Sequence, residues 1–383
     1  MSIERRRFAV AHATQEIIDV ISDFHYDSQN TQYNNDNRQW RKNTKAAYIY
    51  AYTGNPLENV YVDGHGLSKR TVHASETKAL TSVSELLGIA LLAYLICEVL
   101  IGSVLVWGLR KLGVNVHLDF LSFSMGGSQW GVTIVRICAA LLKYSVAFLI
   151  LQRCFRLPFR LRVPLHPGGL PEYIAAIGAA MGIAAVSTII EVFTGHGAET
   201  ARQIFDYKNA AAVITYAFFD IIFLSILSEL LLRGFMMPVL RQFGDRFAVY
   251  ATAIIAFLFP NHAAVRFGEF CIAMAAGYLL IKSGSLEKCI LLRMIYSALG
   301  YGRLVLLYSD VSRISISRFL LILILSAFSS ISLYLLTRAK RRRLSNRTSY
   351  LTSGQKTLIF SETVTMLSWI CISVLLMLVQ FFC

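Results

Sequence analysis

Long apolar runs dominate this chain, each close to the ~20 residues that carry a helix across a ~30 Å hydrocarbon layer. They fall at roughly 83–107, 131–151, 173–193, 211–232, 247–265, 268–283, 287–308, 316–337 and 362–382. Within lipid every backbone N–H and C=O must find a partner in the protein, which restricts spanning structure to helices and closed barrels. Continuous runs of this length fit helices. The sixth run is short and the ninth stands apart from the others. The expected fold is therefore all-α, a polytopic membrane helix bundle of eight or nine transmembrane helices with a polar N-terminal cytoplasmic segment. A hydrophobic fraction of 55% and a mean hydropathy of +0.54 place the chain outside the usual range of soluble domains.

Three segments follow from this pattern. Residues 1–82 are polar, include the stretch DSQNTQYNNDNRQW, and contain no early apolar core of the kind a signal peptide needs. Residues 83–337 form the transmembrane bundle, and residues 338–383 join a basic loop to a last transmembrane helix.

The formal charge of +14 has a membrane explanation that leaves no need for nucleic acid. Counted with the basic residues at the run ends and without the embedded Arg233, loops after the even-numbered runs hold 15 Lys and Arg, and those after the odd-numbered runs hold 7. The excess marks the cytoplasmic side, which puts the N-terminus inside. The expected location is a cell membrane, bacterial in setting, with membrane lipid as the first partner. The cluster Arg338, Lys340, Arg341, Arg342 and Arg343 is placed to meet anionic headgroups.

Seven cysteines lie scattered, with no CxxC pair. Most sit in apolar runs, where cysteine behaves as a small hydrophobe, which argues against a disulfide framework or a zinc–thiolate centre. Glycine-rich phosphate loops, GxSxG and HExxH are all missing. No cofactor and no metal are expected.

Chemistry must then come from the few polar residues at bilayer depth. Glu229 and Arg233 interrupt the fourth run, four residues apart and so on one helix face. Intramembrane charges are costly and mark functional sites by default; a structural ion pair that fixes helix packing is the plain alternative. Of eight histidines only His262 falls at an embedded position, beside Pro260 and Asn261. Arg293 and Ser297 share one face of the seventh run by the same spacing. At 1.5 Å rise per residue, Glu229, His262 and Ser297 fall about 18, 22 and 16 Å from the cytoplasmic face, with Arg293 lower at about 10 Å. Three helices thus bring their polar groups to a similar slab of membrane. Asp220 lies nine residues before Glu229, about 900° of α-helix, and is expected on the opposite face. Glu98 and Glu191 stand alone and read as packing or snorkelling acids.

In order and spacing these residues resemble the CAAX prenyl protease and bacteriocin-processing membrane proteins, the CPBP or Abi family. That family carries Glu-Glu-x-x-x-Arg on one span, Phe-x-x-x-His on the next and His-x-x-x-Asn/Asp two spans later. Here stand Ser228-Glu229-x-x-x-Arg233, Leu258-x-x-x-His262 and Arg293-x-x-x-Ser297. The stretch Gly277 to Leu299, with its SGSL turn, also resembles the family's connecting segment. The resemblance covers about 210–300 and implies a CAAX-protease-like core at about 173–308. It implies an intramembrane endopeptidase fold, with Ser228, Glu229, Arg233, His262, Arg293 and Ser297 at the catalytic positions.

Three of those positions, and Leu258 beside them, depart from the pattern. The glutamate that the family is thought to use as base is Ser228, the phenylalanine is Leu258, the third-motif histidine is Arg293 and the asparagine is Ser297. A hydrolase of this kind needs a base to activate water and donors to steady the oxyanion; Ser228 cannot be that base. Glu229 with His262 as orienter, or Ser228 as a nucleophile activated by His262, would be substitutes. A metal held by His262 and Glu229 lacks a third ligand. One glutamate and two arginines sum to +1, which favours an anionic guest or a closed Arg–Glu–Arg cluster. The sequence therefore leaves two readings. One is an endopeptidase of weakened activity acting on a peptide or transmembrane-helix substrate. The other is an inactive pseudoprotease that holds a protein partner as scaffold, chaperone or immunity factor.

Overall fold

A computed structural model describes residues 31–44, 46–49, 61–62, 66–67, 69–118, 125–165, 169–194, 210–259, 263–308, 324, 327 and 351–382. The elements are α1 (Thr31–Asn43), β1 (Tyr61–Val62), β2 (Gly66–Leu67), α2 (Lys69–Lys111), β3 (Val116–Leu118), β4 (Met125–Gly127), α3 (Gln129–Phe155), α4 (Phe159–Arg162), α5 (Leu170–Thr194), α6 (Ala210–Phe243), α7 (Asp245–Leu258), α8 (Ala263–Ser283), α9 (Leu286–Tyr308), α10 (Ser353–Glu362) and α11 (Val364–Phe382).

The helical reading holds. Among the described residues, Glu76–Lys111, Gln129–Phe155, Leu170–Thr188 and Ala210–Phe243 are long and apolar enough to cross a membrane. A fifth candidate is the α10–α11 pair, bent by 86° at Thr363. The runs expected at 247–265, 268–283 and 287–308 correspond to α7, α8 and α9. Apart from residues 324 and 327, the run at 316–337 lies outside the described residues, as does the basic cluster at 338–343.

Packing follows from which faces are apolar and small. α2 lies against α3 and α11, α7 against α8, and α9 against α5 and α8. The closest approaches depend on glycine. A Cβ on Gly88 would stand 2.6 Å from the Met366 backbone nitrogen, so α2 and α11 touch through bare backbone. There the Thr365 hydroxyl donates to the Glu85 carbonyl at 3.0 Å, and the Ser84 hydroxyl meets both the Phe360 carbonyl and the Thr363 hydroxyl.

The short helix α1 is polar, yet its inner face is buried against the bundle. Asn37 Nδ2 donates to the Pro238 carbonyl at 3.1 Å, and Arg241 Nη2 donates to Asn34 Oδ1 at 3.2 Å. The Arg241 guanidinium lies 4.8 Å from the Tyr33 ring centroid. Trp40 Nε1 and the Tyr48 hydroxyl both donate to the Phe155 carbonyl at 3.3 Å, satisfying an end-of-helix acceptor that has no partner within α3. These contacts tie α1 to the ends of α3 and α6.

Candidate functional site: a charge cluster between α6, α8 and α9

α6 is not a regular α-helix. It contains two π-helical stretches, Asp220–Leu224 and Leu230–Met236, separated by the α-turn Ser225–Glu229. Such widened turns recur at functional sites because they re-aim side chains without breaking the helix. Ser228, Glu229 and Arg233 sit at and just after the junction, and all three are buried. Gly234 follows because α6 meets backbone there: a Cβ would stand 2.6 Å from the Arg162 carbonyl oxygen.

Glu229, fully buried, has both oxygens facing guanidinium nitrogens. Arg233 Nε is 3.4 Å from Oε2, and Arg293 Nη1 donates to Oε1 at 3.4 Å. The other arm of the Arg293 guanidinium binds Glu269 on α8. Arg233 Nη2 donates to the Ala273 carbonyl of α8. The result is a chain, Arg233–Glu229–Arg293–Glu269, running across three helices. It is incompletely satisfied: Glu229 Oε2, Arg233 Nε and Arg233 Nη1 are buried without a hydrogen bond.

Glu269 corrects the charge deduced from sequence. Two glutamates now face two arginines, so the described cluster is neutral instead of +1. Its electrostatic reason to attract an anionic guest disappears, whereas the closed Arg–Glu–Arg contact is present. The sequence signal was available: a second arginine at bilayer depth calls for a second acid. Glu269 lies in the short sixth run, next to Gly268, and was read only as part of a span.

Asp220 is a second correction. The stretch Asp220–Leu224 packs against α9 and Asp220 lies near Tyr301, two turns beyond Arg293, so it faces the same helix as Glu229 does. A π stretch takes an extra residue into its turn and sets the following face back by up to about one residue, ~100°. The π stretch Asp220–Leu224 lies between the two acids, so nine regular steps were the wrong count. A third concerns Glu98, which does not stand alone: Lys143 of α3 pairs with it, and that ammonium lies 5.0 Å from the Tyr94 ring centroid.

The remaining site residues are distributed as follows. The Ser228 hydroxyl donates to the Ser225 carbonyl at 3.1 Å, one turn back on its own helix. Ser297 is half-buried, one turn after Arg293 on α9. Leu258 is buried at the end of α7, and the next residue, Phe259, stacks on Tyr94 with ring centroids 5.1 Å apart. His262 lies outside the described residues, as do Pro260 and Asn261. Thus α6 and α9 meet as expected, and α8 joins them through an unforeseen acid. Among the described residues no three His, Cys, Asp or Glu side chains gather as a metal site.

Residues 210–299 match the model of the family described as type II CAAX prenyl endopeptidase Rce1-like. Over this segment, about a quarter of its length, the chain is similar to CAAX-protease-like CPBP proteins. No curated protein and no solved structure matches the chain. The matched segment begins with α6 and ends inside α9, so it contains every charged member of the cluster. In this CAAX-protease-like core the two arginines and Glu229 come from motif positions. Glu269 falls between the second and third motifs.

Proposed function

We propose that the protein is an integral membrane protein of CAAX-protease-like fold whose site no longer activates water and serves instead to hold a partner. The partner is a transmembrane helix or tail of another membrane protein, and the role is that of scaffold, chaperone or immunity factor. One observation carries this reading: both oxygens of Glu229 face arginine nitrogens, so the carboxylate is engaged as a counter-ion. A general base needs a lone pair directed at the water whose proton it removes. Ser228 supplies no such group and directs its hydroxyl at its own backbone. A buried network of alternating charge fixes how three helices meet; replacing one member leaves an uncompensated charge, which explains its retention without catalysis.

The second reading is a slow endopeptidase using Glu229, favoured by the buried Glu229 Oε2 having no hydrogen bond. The two separate cleanly in an assay with purified full-length protein in liposomes and a prenylated CAAX peptide. Cleavage by the native chain no greater than by Glu229→Gln supports the scaffold. Turnover that vanishes in Glu229→Gln, while the variant keeps the native melting temperature, refutes it. The triple change Ser228→Glu, Arg293→His, Ser297→Asn restores the family's polar residues and is expected to raise cleavage above that of the native chain. The Lys/Arg asymmetry supports an N-terminus in the cytoplasm, and the apolar runs an eight- or nine-span topology, both to be checked by reporter fusions at each loop.

A further inference from the structure

Helix α3, long and apolar enough to cross a membrane, ends at Phe155; as a span it would put the residues that follow at headgroup level. In the segment 153–165, Phe155, Leu157, Leu161 and Pro164 are buried, while Arg153, Arg156, Pro158, Phe159, Arg160 and Leu165 are exposed. The apolar set roots the segment in the bundle. The outer set combines three arginines with two large apolar side chains, Phe159 and Leu165, each 65% exposed. None of the three arginines has a salt-bridge partner among the described residues.

The segment is held rigidly. Arg156 takes the left-handed conformation, φ 47°, and its N–H closes the end of α3 on the Gln152 carbonyl. Trp40 and Tyr48 clamp the Phe155 carbonyl from the α1 side. Leu286 N–H donates to the Pro164 carbonyl at 2.9 Å, fastening the other end to the start of α9. Arg162 points inward, its guanidinium 5.5 Å from the Phe235 ring centroid, and its carbonyl is the atom against which Gly234 packs.

We propose that Arg153, Arg156 and Arg160, with Phe159 and Leu165, form a binding platform for anionic phospholipid headgroups in the leaflet that α4 faces, seated directly against the site helix α6. Arginines bind phosphate bidentately, and apolar side chains at the same level enter the acyl boundary. Zwitterionic headgroups offer the same phosphate but repel the arginines with their own cation, so the platform selects net negative charge. Because Arg162 and Gly234 join the platform to α6, headgroup binding also braces the charge cluster.

The test uses the full chain in mild detergent, titrated with phosphatidylglycerol or phosphatidylcholine. Native mass spectrometry counts bound lipid, and a parallel melting curve reports bracing. The native protein is expected to retain phosphatidylglycerol at least tenfold more strongly than phosphatidylcholine and to melt higher in its presence. Arg153→Gln/Arg156→Gln/Arg160→Gln should lose that preference about tenfold or more, at ~1 kcal/mol per cation near a charged surface. Phe159→Ser/Leu165→Ser should weaken both lipids alike. Inorganic phosphate at matched concentration should leave the melting temperature unchanged; an equal rise with phosphate would overturn the lipid assignment. Equal retention of both lipids by the native chain, or an unchanged preference in the arginine variant, overturns the platform.

Discussion

Arg293 is the keystone of the charge cluster, and removing it gives the sharpest test. The substitution Arg293→Met keeps length and apolar bulk but deletes the guanidinium shared by Glu229 and Glu269. Glu229 is fully buried and would retain only the Arg233 contact at 3.4 Å. Glu269, 7% exposed, would lose the partner the structure gives it. Breaking a buried pair by removing one member costs about 3–5 kcal/mol, because the remaining charge stays desolvated. At about 2–4 °C per kcal/mol for a body of this order of size, the lower bound corresponds to a drop of about 6–12 °C in melting temperature. In a chain whose other six cysteines are replaced by alanine, the assay follows reaction of a thiol dye with Cys289, which is buried between α8 and α9 and becomes accessible as those helices part. Neutralising Glu269 in the same chain, Arg293→Met/Glu269→Gln, should recover about 1 kcal/mol or more, the coupling expected of residues in one network. A single variant melting within a degree of the native chain, or a double variant no more stable than the single one, would refute the claim that these four groups act as a unit.

Three further outcomes follow from close contacts. Gly268→Ala places a Cβ 1.8 Å from the Tyr296 hydroxyl and should destabilise by about 1–3 kcal/mol; adding Tyr296→Phe should restore part of that in the same melting assay. Gly88→Ala cannot be rescued through a side chain, since its Cβ would meet the Met366 nitrogen at 2.6 Å, and should lower the melting temperature by a similar amount. Asn37→Ala removes the bond from α1 to the Pro238 carbonyl, at a cost of about 1 kcal/mol, and limited proteolysis should cut between α1 and α2 faster than in the native chain.

The helical architecture was legible because spans of about 20 apolar residues leave the backbone few alternatives. Glu229, Arg233 and Arg293 were legible for the converse reason: charge at that depth must be answered. Sequence spacing misleads where local geometry departs from the ideal period. A count of 3.6 residues per turn sent Asp220 to the wrong face because widened turns leave no composition signal. Glu269 escaped notice because an acid beside glycine in a short apolar run looks like a span end. The docking of α1 depends on carbonyls at Phe155 and Pro238 that become acceptors only once α3 and α6 end side by side, and no local pattern records that meeting.

The two widened turns of α6 flank Ser225–Glu229, and the second of them carries Arg233. A surplus residue stored in a helix can pass from turn to turn like a ruck moving along a carpet, and whatever it passes swivels without the rod coming apart. Such a shift would turn the half of α6 that carries Asp220 relative to the half gripped by Arg162 and α8. A helix fitted with such a swivel at its centre suits a protein that must admit another helix beside it and then close again.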